Sequence, residues 1–138
     1  YAMHVPVTWL DEVTERCQEL LEMAGMWDER DTEVANLSYG HQRQLELMVT
    51  LASDPKVLLL DEPAAGLSLA ESRSMVQLIK ALDPGLTVLI IEHDMDVAFE
   101  VANEVTVMHQ GEVLAEGSVE EIRANQTVRE VYFGQTYA

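Results

Sequence analysis

An α/β fold is what this sequence predicts, and three observations predict it. Two unbroken apolar runs, Val57-Leu58-Leu59-Leu60 and Val88-Leu89-Ile90-Ile91, read as buried strands. Apolar residues recur at helical spacing in the segments around them. Two Ser-x-x-Glu patterns, Ser68-x-x-Glu71 and Ser118-x-x-Glu121, are capping boxes that open helices. Helices alternating with buried strands point to helices packed on a parallel sheet.

Taken in order, Thr8-x-x-Asp11 resembles a helix start, and Leu10, Val13, Cys17, Leu20, Leu21 and Ala24 form one inward stripe. Gly25 is placed to end that helix, which runs from about Trp9 to Ala24. The polar, charged residues 27–36 predict a loop. A second helix begins at Ser38 with Leu45, Met48, Val49 and Ala52 facing inward, and stops before Pro55. The run at 57–60, bounded by Pro55 and Asp61, predicts a strand covered on both faces. Ser68 opens a helix to about Leu82, and Asp83-Pro84-Gly85 is a turn. Residues 87–91 form the next buried strand, followed by a helix through Ala102. Segments 104–109 and 112–116 flank Gln110-Gly111, which predicts a hairpin. Ser118 then opens a C-terminal helical segment, and no internal repeat or low-complexity tract stands out.

With 138 residues the chain has the length of one domain, and its apolar share of 48% is normal for a globular protein. Its apolar runs fall far short of a membrane span. No N-terminal stretch has the layout of a secretory signal. The chain opens on Tyr1 rather than Met, which predicts a fragment or a processed chain. Cys17 is the single cysteine; it excludes an internal disulfide, suits a reducing cytoplasm and, on the apolar stripe, is expected to be a buried thiol. A net charge of −17 argues against binding nucleic acid, which needs basic surface.

Three places carry candidate chemistry. Asp61 and Glu62 stand where a buried strand meets a loop, the position at which open α/β sheets place ligands. Asp61 can supply the carboxylate that a hard Mg²⁺ ion needs, and Glu62, pointing elsewhere, can orient or deprotonate a water. Ser38 is a favoured helix N-cap, and the same helix start offers N–H groups and a positive dipole end to a phosphate. Gly40 keeps that backbone accessible. His93 lies just beyond the second strand, which is expected beside the strand ending in Asp61 and Glu62. His4, His41 and His109 show no metal-ligand spacing with it, so no zinc site is expected.

The runs Leu37-Ser38-Tyr39-Gly40-His41-Gln42, Val57-Leu58-Leu59-Leu60-Asp61-Glu62-Pro63 and Ile91-Glu92-His93-Asp94, in that order, resemble the signature motif, Walker B strand and switch histidine of ATP-binding cassette (ABC) ATPases. The fullest resemblance is to the ATPase subunits of branched-chain amino acid importers, through Asp61-Glu62-Pro63-Ala64-Ala65-Gly66-Leu67 and Ile91-Glu92-His93-Asp94-Met95. Urea and short-amide importers look similar through the tail from Val107 to Gly134. There is no G-x-x-x-x-G-K-[ST] loop, and the lysines, Lys56 and Lys80, lie outside any such pattern. Tyr39 stands where the common pattern has glycine, His41 where glutamine is usual, and Ser68 where an aspartate is usual.

The resemblance implies a partial P-loop NTPase fold lacking its Walker A half, with residues 1–54 in the helical subdomain and 55–138 in the ATPase core. It implies ATP and Mg²⁺ as cofactors. Ser38, Tyr39, Gly40 and Gln42 would meet the ATP held by a partner subunit, Asp61 would hold Mg²⁺, Glu62 would be the general base and His93 the switch residue. Residues 65–68 would cross between subunits. It implies a cytoplasmic protein, peripheral to the membrane, working with membrane permease subunits and with a second ATPase subunit or a complementary N-terminal half. A missing central strand leaves an open edge, which predicts a dimer, a swapped assembly or local repacking. Alone, the chain is expected to be inactive, because phosphoryl transfer needs groups positioned around the phosphates. A non-catalytic docking module is the alternative.

Overall fold

The computed structural model describes residues 7–133, so His4 and the tail beyond residue 133 lie outside the described residues. Helix α1 spans Val7–Met23, beginning ahead of the Thr8 start that the capping pattern predicts. At its end Gly25 has a φ of +68°, the left-handed conformation that stops a helix. The Met26 N–H donates to the Leu21 carbonyl at 2.7 Å and the Gly25 N–H to the Glu22 carbonyl at 2.9 Å, which is a Schellman closure. The predicted inward stripe holds only near that end. Leu20 is buried, whereas Leu10, Val13 and Cys17 are exposed. The expectation of a buried Cys17 thiol is thus corrected: helical spacing defines an apolar stripe but not the neighbour that covers it.

Two short 3₁₀ turns, Trp27–Glu29 and Val34–Asn36, occupy the segment expected to be loop. Helix α2 spans Tyr39–Leu51 with Ser38 as its N-cap. Its buried face is Gly40, Gln44, Leu47, Met48 and Leu51. Of the predicted inward residues only Met48 is buried, and Val49 is 66% exposed. Apolar residues flank Met48 on both sides, so periodicity admits two faces. Packing of α2 against α1 and α3 selects the one that carries Gly40 and Gln44.

Strands β1 (Val57–Asp61) and β2 (Thr87–Ile91) pair in parallel, in register from Val57 opposite Thr87 to Asp61 opposite Ile91. They are joined through α3 (Leu69–Lys80), which starts at a complete capping box of Ser68 and Glu71. Exposure alternates along both strands. Leu58 is buried, while Val57, Leu59, Leu89 and Ile91 are 56%, 70%, 59% and 61% exposed. The expectation of strands covered on both faces is therefore corrected. Successive side chains point to opposite faces, and the described chain covers only the face of Leu58, Leu60, Val88 and Ile90. Residues 57, 59 and 61 share the bare face with 87, 89 and 91.

From Glu92 onward the chain forms a second compact unit, distinct from the one that ends at Ile91. Asp94 caps α4 (Met95–Val101) by accepting from the Asp96 and Val97 N–H groups. Strands β3 (Glu104–His109) and β4 (Glu112–Ser118) form the expected antiparallel hairpin, with a bulge between Val107 and Met108. Gln110 and Gly111 both have positive φ, 51° and 83°, as a two-residue type I′ turn requires. Helices α5 (Val119–Ala124) and α6 (Gln126–Val128) follow. Phe99, Val107, Ile122 and Val128 form the core of this unit, with Met95, Val105, Leu114, Ala115 and Val119 packed around it.

Candidate functional site

The start of α2 is built by its own side chains. The Ser38 hydroxyl accepts the His41 N–H at 3.2 Å, satisfying one of the helix's free donors. The Gln42 amide donates to the Val34 and Leu37 carbonyls at 3.0 and 3.1 Å, pinning the approach to the helix. Gln42, which the resemblance counts among the nucleotide-contacting residues, thereby shapes the turn through its NH₂ group. His41 places Nδ1 2.6 Å from the Glu29 carboxylate, which ties α2 to the preceding 3₁₀ turn. The Tyr39 hydroxyl accepts from Arg43 Nε at 3.0 Å, and the guanidinium sits 5.4 Å from the ring centre. Glu46 first, and then Tyr39, raise the Arg43 pKa, so this cation persists.

Two close approaches join this turn to the chain after β1, one at Gly66 of the loop and one at Glu71 in the first turn of α3, a union that the separate motifs do not announce. The Tyr39 ring lies 3.4 Å from where a side chain on Gly66 would begin. The buried Gly40 N–H donates to Glu71 Oε1 at 3.2 Å. A Cβ on residue 40 would lie 2.6 Å from that oxygen, so the close approach depends on glycine. Glu71 is a residue of this junction that the sequence motifs do not single out. Its capping box was legible, but its reach to a helix 31 residues earlier had no local signal. A cleft of about 690 Å³ runs beside this junction, with Ser38, Gly40, His41 and Glu71 on its wall and Gly25 and Gln77 further along.

The Ser68 hydroxyl, and then the Ser68 and Gly40 N–H groups, hold the Glu71 carboxyl below the usual carboxylate range. Ser118 does the same for Glu121 in the second capping box. A depressed carboxylate pKa contributes stability that is present above the unfolded value and lost as pH falls through the folded one. Acid titration followed by far-ultraviolet circular dichroism is therefore expected to show the contribution of these two carboxylates declining as pH falls from the ordinary glutamate value of 4.5 toward their lowered folded values. Glu71→Gln combined with Glu121→Gln should flatten that acid-side loss.

Asp61 ends β1 on the bare face of the sheet and is exposed. It lines a small cavity of about 200 Å³ with Arg43, Leu60, Pro63 and Met75. Glu62 turns the chain away with φ of +46°, a left-handed conformation that costs a non-glycine residue roughly 1–2 kcal/mol. Its N–H donates to the Ile91 carbonyl at 2.9 Å, so the turn is anchored to β2. Strained backbone of this kind is concentrated at functional sites. Among the described residues no group of three or more His, Cys, Asp and Glu is arranged to hold a metal.

His93 follows two residues after β2, and its side chain is 72% exposed. Beside it the Glu92 side chain is almost wholly buried, with Oε2 accepting the His93 N–H at 3.0 Å and the Asp94 N–H at 3.3 Å. The same oxygen lies 3.8 Å from His93 Nδ1, while Oε1 has no hydrogen-bond partner among the described residues. A buried carboxylate directly before the histidine is a second feature that sequence reasoning passed over. An acidic residue at a strand end gave no reason to expect burial.

Comparison with known proteins gives these groups a context. Residues 3–65 match the ABC transporter family, and residues 112–138 match the branched-chain amino acid ATP-binding cassette transporter family. The methionine import ATP-binding protein MetN of Haemophilus ducreyi is 40% identical over 86% of this chain and 35% of its own length. The high-affinity branched-chain amino acid transport ATP-binding protein LivG of Salmonella typhimurium is 38% identical over 90% of this chain and 49% of its own. The solved structure of MJ1267, an ATP-binding cassette of an ABC transporter, aligns with a TM-score of 0.78 at 26% identity, covering 96% of this chain and 53% of that one. The fold is a partial ABC ATPase. The chain matches the ABC transporter family models at both ends and spans about half the length of the branched-chain amino acid relatives it resembles.

Proposed function

We propose that this chain is the C-terminal half of the ATPase of a branched-chain amino acid importer, and that it hydrolyses ATP when joined to the half bearing the phosphate-binding loop. The observation that carries the reading is the bare sheet face. Val57, Leu59, Leu89 and Ile91 stand exposed on it, and Asp61 stands at its carboxyl end. A contiguous exposed apolar face needs a cover, and ligands of open α/β sheets bind beyond the carboxyl ends of the strands. A complementary half laid on this face brings its bound phosphates to Asp61. The match of residues 112–138 favours branched-chain amino acids over methionine as the imported solute.

Mg²⁺ takes one or two carboxylates and fills its remaining positions with water and phosphate oxygens. A single exposed Asp61 at a strand end fits that demand. Bound there, the ion would neutralise charge on the phosphates. Glu62, held in its turn by Ile91, orients and deprotonates the attacking water. Ser38 and Gly40 offer helix-start donors to a γ-phosphate held by a second subunit, flanked by Tyr39 and supported by Gln42. His93 serves as the switch residue. Residues 1–54 form part of the helical subdomain, and 55–138 part of the ATPase core. No described helix is long and apolar enough to cross a membrane, and the proposed place of work is the cytoplasmic face, against permease subunits and a second ATPase.

Mixing the chain with a separately produced N-terminal half of a branched-chain amino acid importer ATPase tests the reading. Phosphate release should appear in the mixture and in neither half alone. A stable mixed complex without turnover would overturn the catalytic role and leave a docking module.

A further inference from the structure

We propose that the Glu71 carboxylate is a built-in competitor for the phosphate at the start of α2, holding the Gly40 N–H occupied until a phosphate oxygen displaces it. The inference rests on the reading that Ser38 and Gly40 receive a phosphate. It explains a contact that helix capping alone leaves unexplained. Capping α3 needs only the bonds from Ser68, whose N–H and Oγ lie 2.9 and 2.6 Å from Glu71 Oε2. Glu121 makes the equivalent pair with Ser118, at 2.8 Å each. Glu71 does more: its second oxygen crosses to α2 and takes the Gly40 N–H.

The fit is close enough that a Cβ at residue 40 would meet Glu71 Oε1, Cγ and Cδ at 2.6, 2.7 and 2.8 Å. Glycine at this position therefore serves an internal anion as well as any external one. The Gly40 N–H serves one acceptor oxygen at a time, and two anions crowded at one helix start repel each other. The titratable groups facing this carboxylate are His41 of α2 and, beyond it, Glu29 of the 3₁₀ turn. Displacement of Glu71 frees the Ser68 end of the loop at residues 65–68 from the α2 start. Phosphate arrival at Gly40 is thereby coupled to the loop that follows Asp61 and Glu62.

Nuclear magnetic resonance of the ¹⁵N-labelled chain reads the competition at the Gly40 amide. In the unaltered chain this resonance should shift on acidification with a midpoint below the usual glutamate range, and the step should vanish in Glu71→Gln. Inorganic triphosphate, titrated at constant ionic strength, should perturb Gly40 in Glu71→Gln at a half-saturating concentration at least threefold lower than in the unaltered chain. Glu121→Gln removes the same charge from the other capping box and should change neither readout. Should Glu71→Gln lose the folded spectrum, Glu71→Asp keeps the charge and withdraws it by one methylene, with the same gain expected. Equal half-saturation in both chains, or a step that survives Glu71→Gln, would overturn the competitor role while leaving the phosphate reading in place. A Gly40 amide that ignores triphosphate in both chains would overturn the inference through the phosphate reading itself.

Discussion

Glu62→Gln in the completed domain is expected to lower ATP turnover by about 10²–10⁴-fold, the range that a positioned general base contributes. Nucleotide affinity should stay within a few fold, because the amide has the carboxylate's shape and Asp61 remains. The turn argues for this split. Glu62 keeps a left-handed φ of +46°, and its N–H bond to Ile91 fixes the backbone whatever the side chain is. Glutamine removes the basic oxygen without releasing that anchor, so the isolated variant should unfold within about 1 kcal/mol of the unaltered chain. Single-turnover phosphate release in the assembled domain measures the first effect, and urea unfolding of the isolated chain the second. Undiminished turnover would sink the assignment of Glu62 as base.

Leu58 and Leu59 are neighbours for which opposite outcomes are expected. Leu58 is 2% exposed, and Leu58→Ala removes a buried side chain and leaves a cavity, at a cost of about 2–5 kcal/mol. Leu59 is 70% exposed, so Leu59→Ala should leave the isolated chain within about 0.5 kcal/mol. In the mixed assembly the order changes. Leu59→Asp, which leaves the covered face untouched, places a carboxylate in the proposed interface, where an unpaired charge is strongly disfavoured. Complex formation with the N-terminal half should then be lost. Urea midpoints give the first comparison and size-exclusion chromatography of the mixture the second. Retained assembly by Leu59→Asp would mean that the partner half binds elsewhere.

Local chemistry explains how much of the fold was legible. The capping boxes at Ser68 and Ser118 lie within four residues of sequence, and the helices start where those residues place them. The strand at 87–91 and the hairpin around Gln110-Gly111 are likewise local, set by an apolar run and a turn. The inward face of α2 was not legible, because Leu45, Leu47, Met48, Val49 and Leu51 offer two stripes to any neighbour. Nor were the exposures of Cys17, Leu59 and Leu89. An apolar run states that burial is favourable, and whether a covering layer is at hand depends on segments remote from it.

The order of residues by itself determined the α/β alternation, the family resemblance and the identities of Ser38, Gly40, Asp61, Glu62 and His93 as candidates, because each rests on chemistry within a few neighbouring residues. Only the tertiary structure decided that one sheet face stands bare with Asp61 at its end. It alone placed the Glu71 carboxylate on the Gly40 N–H and buried the Glu92 carboxylate beside His93. Each depends on which distant segments do or do not come to lie beside a residue, and a hydrogen bond spanning 31 residues leaves no period, spacing or composition to read in advance.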